Sequence, residues 1–252
     1  MQFTDKIALI TGGTRGMGFA AAKRLLDDGA TVVITGRDET RLEAAATALG
    51  HPTRVMAVRA DAAIAGDVDR LASTIRDRHG RLDLLFANAG VAAFKPLTEF
   101  SEQDIDQLIS VNLTGVILTI RGALPLLVDN GSIVINASWT VHRGLAGATV
   151  YAATKAAVRN LARTLSADLA ERRIRVNAVS PGYIKTDMFD DAITGEDAIE
   201  AVRRQIVLGR IGTAEDVADA VAFLLSDQAR YITGHDLIID GGIVDAIASS
   251  PV

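Results

Sequence analysis

The feature that most constrains this chain is a regular alternation of short, β-branched apolar runs with longer amphipathic stretches. The strand-like runs fall at residues 7–10, 31–35, 54–58, 82–86, 132–136, 175–179 and 235–239. Between them lie helix-like segments at 17–28, 39–49, 67–78, 101–128 and 149–171, with a later pair around 198–206 and 214–226. Apolar runs without polar alternation suit strands covered on both faces. Strands and helices alternating this regularly close through right-handed crossovers into a parallel sheet. The expectation is therefore an α/β fold, an open doubly wound sheet of seven parallel strands with helices on both faces. No Pro/Ser-rich linker and no internal repeat divides the chain, so one domain spanning 1–252 is expected.

Doubly wound sheets bind ligands beyond the carboxyl ends of their strands, near the reversal in strand order. The unusual residues of this chain gather there. Thr11-Gly12-Gly13-Thr14-Arg15-Gly16-Met17-Gly18 follows the first run and opens the first helix. Asp61 lies beyond the third run, Asn88-Ala89-Gly90 beyond the fourth, Ser138 beyond the fifth and Pro181-Gly182 beyond the sixth. Gly12, Gly16 and Gly18 let the backbone turn tightly and approach a pyrophosphate, whose charge the helix amino terminus meets. A tight turn with no ligand is the plainer alternative, and its place after the first strand argues against it.

The end of the second run discriminates between nicotinamide cofactors. An acidic residue there hydrogen-bonds the ribose 2′-hydroxyl in NAD sites. Here Gly36 holds that place and Arg37 follows. A guanidinium pairs with a 2′-phosphate, which a carboxylate would repel. Arg15, inside the glycine loop, is placed to reach the same group. NADP(H) is thus favoured over NAD(H), the alternative being that Arg37 only begins a solvated helix face beside Asp38 and Glu39.

Tyr151 and Lys155 are four residues apart in a helix-like segment, and Ser138 lies thirteen positions upstream of the tyrosine. That spacing puts phenol and ammonium on one helix face. A cation beside a phenol favours the phenolate, so the pair could supply a general acid/base near neutral pH. An upstream hydroxyl could hold a substrate oxygen beside it.

Composition closes several other routes. There is no cysteine, which excludes disulfides and thiolate chemistry, and His51, His79, His142 and His235 show no metal-ligand spacing, so no metal is expected. A net charge of -5 argues against nucleic acid as a partner. Residues 1–6 are polar and not a signal peptide, and the stretch 116–128 is interrupted by Arg121 and too short to span a membrane. A cytoplasmic protein acting on a small molecule is expected.

Together these residues resemble the short-chain dehydrogenase/reductase family, in its single-domain, Rossmann-type form of about this length. The likeness runs from Lys6 to Gly242. It rests on the glycine loop (Thr11, Gly12, Gly16, Gly18), Asp61, Ala87-Asn88-Ala89-Gly90, Pro181-Gly182 and the closing Asp240-Gly241-Gly242. The family's paired Asn appears here as Ala87-Asn88. The resemblance implies a catalytic tetrad of Asn112, Ser138, Tyr151 and Lys155. Tyr151 would protonate a carbonyl oxygen as hydride arrives. Lys155 would lower the tyrosine pKa and bind the nicotinamide ribose, Ser138 would orient the oxygen, and Asn112 would hold a relay water through a local helix distortion. Lowering a tyrosine pKa of ~10 by ~3 units near Lys155 and the nicotinamide cation would correspond to roughly 4 kcal/mol. Further cofactor contacts are implied at Thr14, Met17, Ala62, Ile184 and Thr186.

The resemblance lines the substrate cleft with Trp139, His142, Leu145, Tyr183, Met188 and Phe189 beside Ser138, although core packing explains Trp139 equally well. An aromatic and aliphatic pocket suits a hydrophobic ketone. The stretch 187–206 resembles the family's mobile lid, and the helices at 101–128 and 152–169 its dimer face, so a homotetramer is expected. Two other activities stay open. One is an NAD-dependent alcohol or polyol dehydrogenase. The other is a 3-oxoacyl-thioester reductase, for which Arg121, Arg159, Arg163, Arg172 and Arg173 would form a docking surface.

Overall fold

The computed structural model describes residues 1–247. The tail at 243–252 is apolar and by its sequence would suit a second interface between subunits; its last residues, 248–252, lie outside the described ones. Seven parallel strands form one sheet in the order β3-β2-β1-β4-β5-β6-β7. They are β1 (Ile7–Ile10), β2 (Thr31–Gly36), β3 (Val55–Arg59), β4 (Leu82–Ala87), β5 (Leu127–Asn136), β6 (Arg175–Pro181) and β7 (Asp236–Ile239). Alternate strand residues feed two cores. Ile10, Ile34, Phe86 and Val134 face one side with the helices α1 (Gly16–Asp27), α2 (Glu39–Leu49) and α9 (Ala214–Leu225). Leu9, Val33, Leu85 and Ile135 face the other with α3 (Ala65–His79), α5 (Gly115–Ala123) and α6 (Thr149–Asp168). Burying each such Leu, Ile or Phe contributes about 1.5–3 kcal/mol, which is why these runs carry no polar alternation.

The helix expected over 101–128 is three pieces. Its first is α4 (Glu102–Ile109), started by a capping box in which Ser101 and Asp104 exchange hydrogen bonds. A π-helical turn at Ser110–Thr114 follows, then α5, which ends at Ala123. Pro125 lacks the N–H that would continue the helix, and the chain re-enters the sheet at Leu127. The stretch 187–206 carries two short helices, α7 (Asp187–Ala192) and α8 (Glu196–Arg203). Phe189, Val202 and Ile206 pack with Trp139 and Ile243 in a third, smaller cluster.

The strand order reverses between β1 and β4, so the two chains leaving these strands diverge and open a crevice. No helix of the described residues is long and apolar enough to cross a membrane.

Candidate active site

A cleft of about 510 Å³ lies over the carboxyl ends of the strands. Its floor is the loop from β1 to α1. Gly12 adopts φ +66°, a left-handed conformation that glycine reaches without strain. Gly18 lets α1 approach the loop, since a Cβ there would lie 2.3 Å from the Gly12 carbonyl oxygen. Gly12, Thr14, Arg15, Gly16, Met17 and Gly18 all line the cleft, as do Asp61 and Ala62 beyond β3 and Pro181, Gly182, Ile184 and Thr186 beyond β6.

The chain beyond β4 is fastened to this floor. The backbone N–H groups of Asn88 and Ala89 donate to Thr11 Oγ1 at 3.0 and 3.1 Å. Asn88 Nδ2 donates to the carbonyls of Thr11 and Gly12, and its Oδ1 accepts from Asn136 Nδ2 at 2.9 Å. Asn112, buried on the π-helical turn, reads the backbone of Val91 through both its amide atoms, at 2.8 and 2.9 Å. Its Nδ2 also reaches Thr154 Oγ1, whose hydroxyl donates to the Tyr151 carbonyl. The distortion that the resemblance implied is thus present. Asn112 lies behind the cleft wall, joining the loop after β4 to α6.

Ser138, Tyr151 and Lys155 come together on the cleft wall, with exposures of 5%, 9% and 3%. The Lys155 ammonium donates to the Asn136 carbonyl at 2.8 Å and lies 5.8 Å from the centroid of the Tyr151 ring. Ser138 Oγ accepts from the Thr140 N–H and hydroxyl, which leaves its own O–H free to donate. Burial sets the electrostatics of these groups. Burial pushes the Tyr151 pKa up, with the Ser138 hydroxyl opposing it, and pushes Lys155 down to about 8. The ammonium is engaged with a carbonyl, and desolvation of the phenol outweighs any help from it.

Aromatic rings make the cleft walls. Trp139, Tyr183 and Phe189 form a row with centroid spacings of 5.1 and 6.2 Å, and Leu145 and Met188 also line the cleft. Trp139 is both wall and core, since it belongs to the third cluster as well. Opposite, Phe94 meets the Tyr151 ring edge-on at 5.4 Å. Phe94 was not legible as a site residue, because it sits in a loop without periodicity. His142 is corrected outright: it does not line the cleft. Its Nε2 bonds Asp236 on β7 at 2.7 Å.

At the far end of the cleft Arg37 is joined by Arg41 on the first turn of α2. Arg41 is four residues beyond Arg37, a spacing the sequence offered. Arg15 is not free, because its guanidinium pairs with Asp187 on α7. The arginines considered for docking are largely engaged too. Arg159 bonds Asp236, Arg172 bonds Asp129, and Arg173 bonds Asn130.

A dinucleotide fits the residues present. The glycine floor admits a pyrophosphate against the α1 amino terminus. At Gly90 a Cβ would crowd Asn112 Oδ1 and Lys155 Nζ, each at 3.3 Å, so the missing side chain keeps that face open. Asn136 Oδ1 is buried without a partner among the described residues and can accept a ligand donor.

Similarity to known proteins agrees with this geometry. Residues 12–244 match the family model described as enoyl-(acyl carrier protein) reductase. The chain is 39% identical to the oxidoreductase asL5 of Sarocladium schorii, over 96% of this chain and 97% of that protein. The crystal structure of a short-chain dehydrogenase/reductase of Brucella melitensis, described as a glucose/ribitol dehydrogenase, superposes with a TM-score of 0.93. It is 36% identical, covering 97% of this chain and 99% of that one. A short-chain dehydrogenase of Burkholderia cenocepacia in complex with NADP gives a TM-score of 0.91 at 37% identity, covering 96% and 99%. With matches of this extent and the seven-stranded parallel sheet beneath them, the chain belongs to the short-chain dehydrogenase/reductase family of oxidoreductases.

Proposed function

We propose that the protein reduces a hydrophobic ketone with NADPH, Tyr151 giving the proton to the carbonyl oxygen. The observation that carries this reading is the convergence of buried Ser138, Tyr151 and Lys155 on one wall of the cleft. A tyrosine is protonated at neutral pH, the form a proton donor needs, and a cation beside it helps the phenolate that remains. Ser138 donates to the substrate oxygen and holds it beside the phenol. Lys155, buried and bound to the Asn136 carbonyl, has two remaining N–H groups for the ribose hydroxyls and for the phenolate left after proton transfer. Nicotinamide bound in the cleft would supply the hydride. Asn112 fixes the loop at Val91 and so the near wall of the pocket.

For the cofactor, Gly36 leaves no carboxylate at the end of β2, and Arg37 offers a guanidinium to a 2′-phosphate, joined by Arg41, which is exposed and paired at 3.5 Å with Asp38. The NADP complex of the Burkholderia cenocepacia relative supports the same choice. For the substrate, rings on both sides of the cleft favour a flat, apolar ketone over a polyol. A free ketone is favoured over a carrier-bound thioester, because three of the five arginines considered for docking, Arg159, Arg172 and Arg173, are tied to this chain's own groups. Half-exposed Ile109 and Ile117 on α4 and α5 suit the dimer face of a homotetramer, which light scattering would refute by giving a single-chain mass.

The test is a spectrophotometric screen of NADPH and NADH oxidation against aryl, cyclic and acyl-thioester ketones. Aryl or cyclic ketones with NADPH should give the highest kcat/KM. Faster turnover with NADH, or with the thioesters, would overturn the corresponding half of the reading.

A further inference from the structure

Two carboxylates outside the cleft are 5% exposed and bonded to arginine, and they sit at opposite ends of the sheet. Asp83, at the amino end of β4, takes Arg81, Lys6 and the Ile7 N–H. Its partners Arg81, Lys6 and Ile7 do not line the cleft. Asp236, which opens β7 on the sheet edge, is different in what it joins. Its Oδ2 accepts from His142 Nε2 and from Arg159 Nε, both at 2.7 Å. The Ser180 hydroxyl lies 2.9 Å from Oδ1 and 3.1 Å from Oδ2. These three donors stand on the three segments that carry the chemistry. His142 ends the turn that Ser138 begins, and its N–H bonds the Trp139 carbonyl. Arg159 lies one turn beyond Lys155 on α6. Ser180 is fully buried and immediately precedes Pro181-Gly182 on the cleft floor.

We propose that Asp236 is a positioning residue for the reaction, one buried carboxylate that holds the Ser138 turn, the Tyr151–Lys155 helix and the end of β6 in register from behind. The bonds are charge-assisted, short and buried, so they fix geometry more firmly than surface pairs. Two donors meet Oδ2, and the third lies nearer Oδ1. Displacing any of the three segments therefore costs a bond that water cannot replace at 5% exposure. The distance between the Ser138 and Tyr151 hydroxyls depends on two of these segments. A misplacement of an ångström can cost on the order of a hundredfold in rate.

The inference rests on Ser138 and Tyr151 being the oxygen-facing pair, so Tyr151→Phe is the control for that reading. The variants are Asp236→Asn, His142→Leu, His142→Gln and, as a purely structural comparison, Asp83→Asn. The assay measures turnover per NADPH-binding site, counted by fluorescence titration, with the best ketone of the screen. An amide at 236 would turn N–H groups toward other donors. Asp236→Asn should lower kcat per site about tenfold or more, with the NADPH Kd changed less than about twofold. His142→Leu should cost about threefold, and His142→Gln, whose amide can donate to Oδ2, should recover most of it. The ionisation limb of kcat/KM for alcohol oxidation should move to higher pH in Asp236→Asn, because Ser138 opposes the upward shift of Tyr151. Asp83→Asn should lower Tm and leave kcat per site and the limb in place. If Asp236→Asn does not fold, His142→Leu carries the test, since it leaves the Asp236–Arg159 pair intact. Parental kcat per site and an unmoved limb in the 236 and 142 variants, with Tyr151→Phe inactive, would overturn the proposal alone. An active Tyr151→Phe would instead overturn the reading beneath it.

Discussion

The two ends of the cleft are built on opposite principles. At one end Ser138, Tyr151 and Lys155 are all less than a tenth exposed and locked to backbone or hydroxyl partners. At the other, the side chains of Arg15 and Arg41 are 55% and 63% exposed and held by ion pairs to Asp187 and Asp38. Burial shifts ionisation and makes each lost hydrogen bond expensive. Exposure keeps charges ordinary, screened and individually replaceable. The catalytic end should therefore fail abruptly under substitution, and the arginine end should fail by degrees.

The sharpest way to break this contrast is Tyr151→Phe. Removing the phenol hydroxyl beside Ser138 should lower kcat about 10³-fold. NADPH affinity should change less than about twofold, because the arginines and the glycine floor remain. Single-turnover reduction followed at the nicotinamide absorbance measures both. Activity comparable to the parent's would place the acid elsewhere.

Next comes the pH dependence of folding. Burial lowers Lys155 from 10.5 to about 8. Between about pH 8 and pH 10 the unfolded chain then binds this proton more tightly than the folded one. Stability consequently rises with pH across that window, by up to about 3 kcal/mol from this group. Above about pH 10 the raised pKa of Tyr151 acts in the opposite sense, since the folded state keeps a proton the unfolded chain gives up. Denaturant titrations of the ligand-free protein at pH 7, 8, 9 and 10 should show the rise. Lys155→Met should abolish it, and a rise of the same size in that variant would show that Lys155 is not its source.

Effects at the arginine end should be smaller and sensitive to salt. Arg37→Ser should lower the NADPH-to-NADH ratio of kcat/KM by about 30-fold, and Arg41→Ala by about threefold. Both losses should shrink at high ionic strength. An Arg41 effect as large as that of Arg37 would mean that the phosphate is gripped by both guanidinium groups together.

The same contrast explains what was readable from the chain. Strands that feed two cores are apolar on both faces, so all seven runs were visible. The glycine loop was visible because backbone approach excludes side chains, as Gly18 against the Gly12 carbonyl illustrates. The π-helical turn was not visible in periodicity. It is held by Asn112 reaching Val91, 21 positions away, and only the family resemblance pointed to it. His142 was misread because an aromatic, polar side chain beside Trp139 looks like pocket lining. Its true partner, Asp236, is 94 positions later, and only the fold brings them together. Phe94 escaped because its loop is fastened from outside, through Lys95 N–H to the Gly147 carbonyl and Lys95 Nζ to Asp104.

Phe94 supplies the smallest and most discriminating test, because it is an exposed side chain at the buried end. It is 42% exposed, yet its ring meets Tyr151 edge-on. Such a contact contributes about 0.5–1.5 kcal/mol beyond area burial, and an aryl substrate could exploit the same ring. If Phe94 acts as a wall, Phe94→Ala should raise KM for an aryl ketone about fivefold to tenfold and leave kcat nearly unchanged. A small aliphatic ketone, too short to span from Tyr151 to the ring, should be unaffected. Phe94→Leu should restore part of the loss, since it returns apolar area without the ring quadrupole. If kcat falls for both ketones while KM holds, the ring is buttressing Tyr151 instead. Phe94 would then behave as part of the rigid end of the cleft despite its exposure.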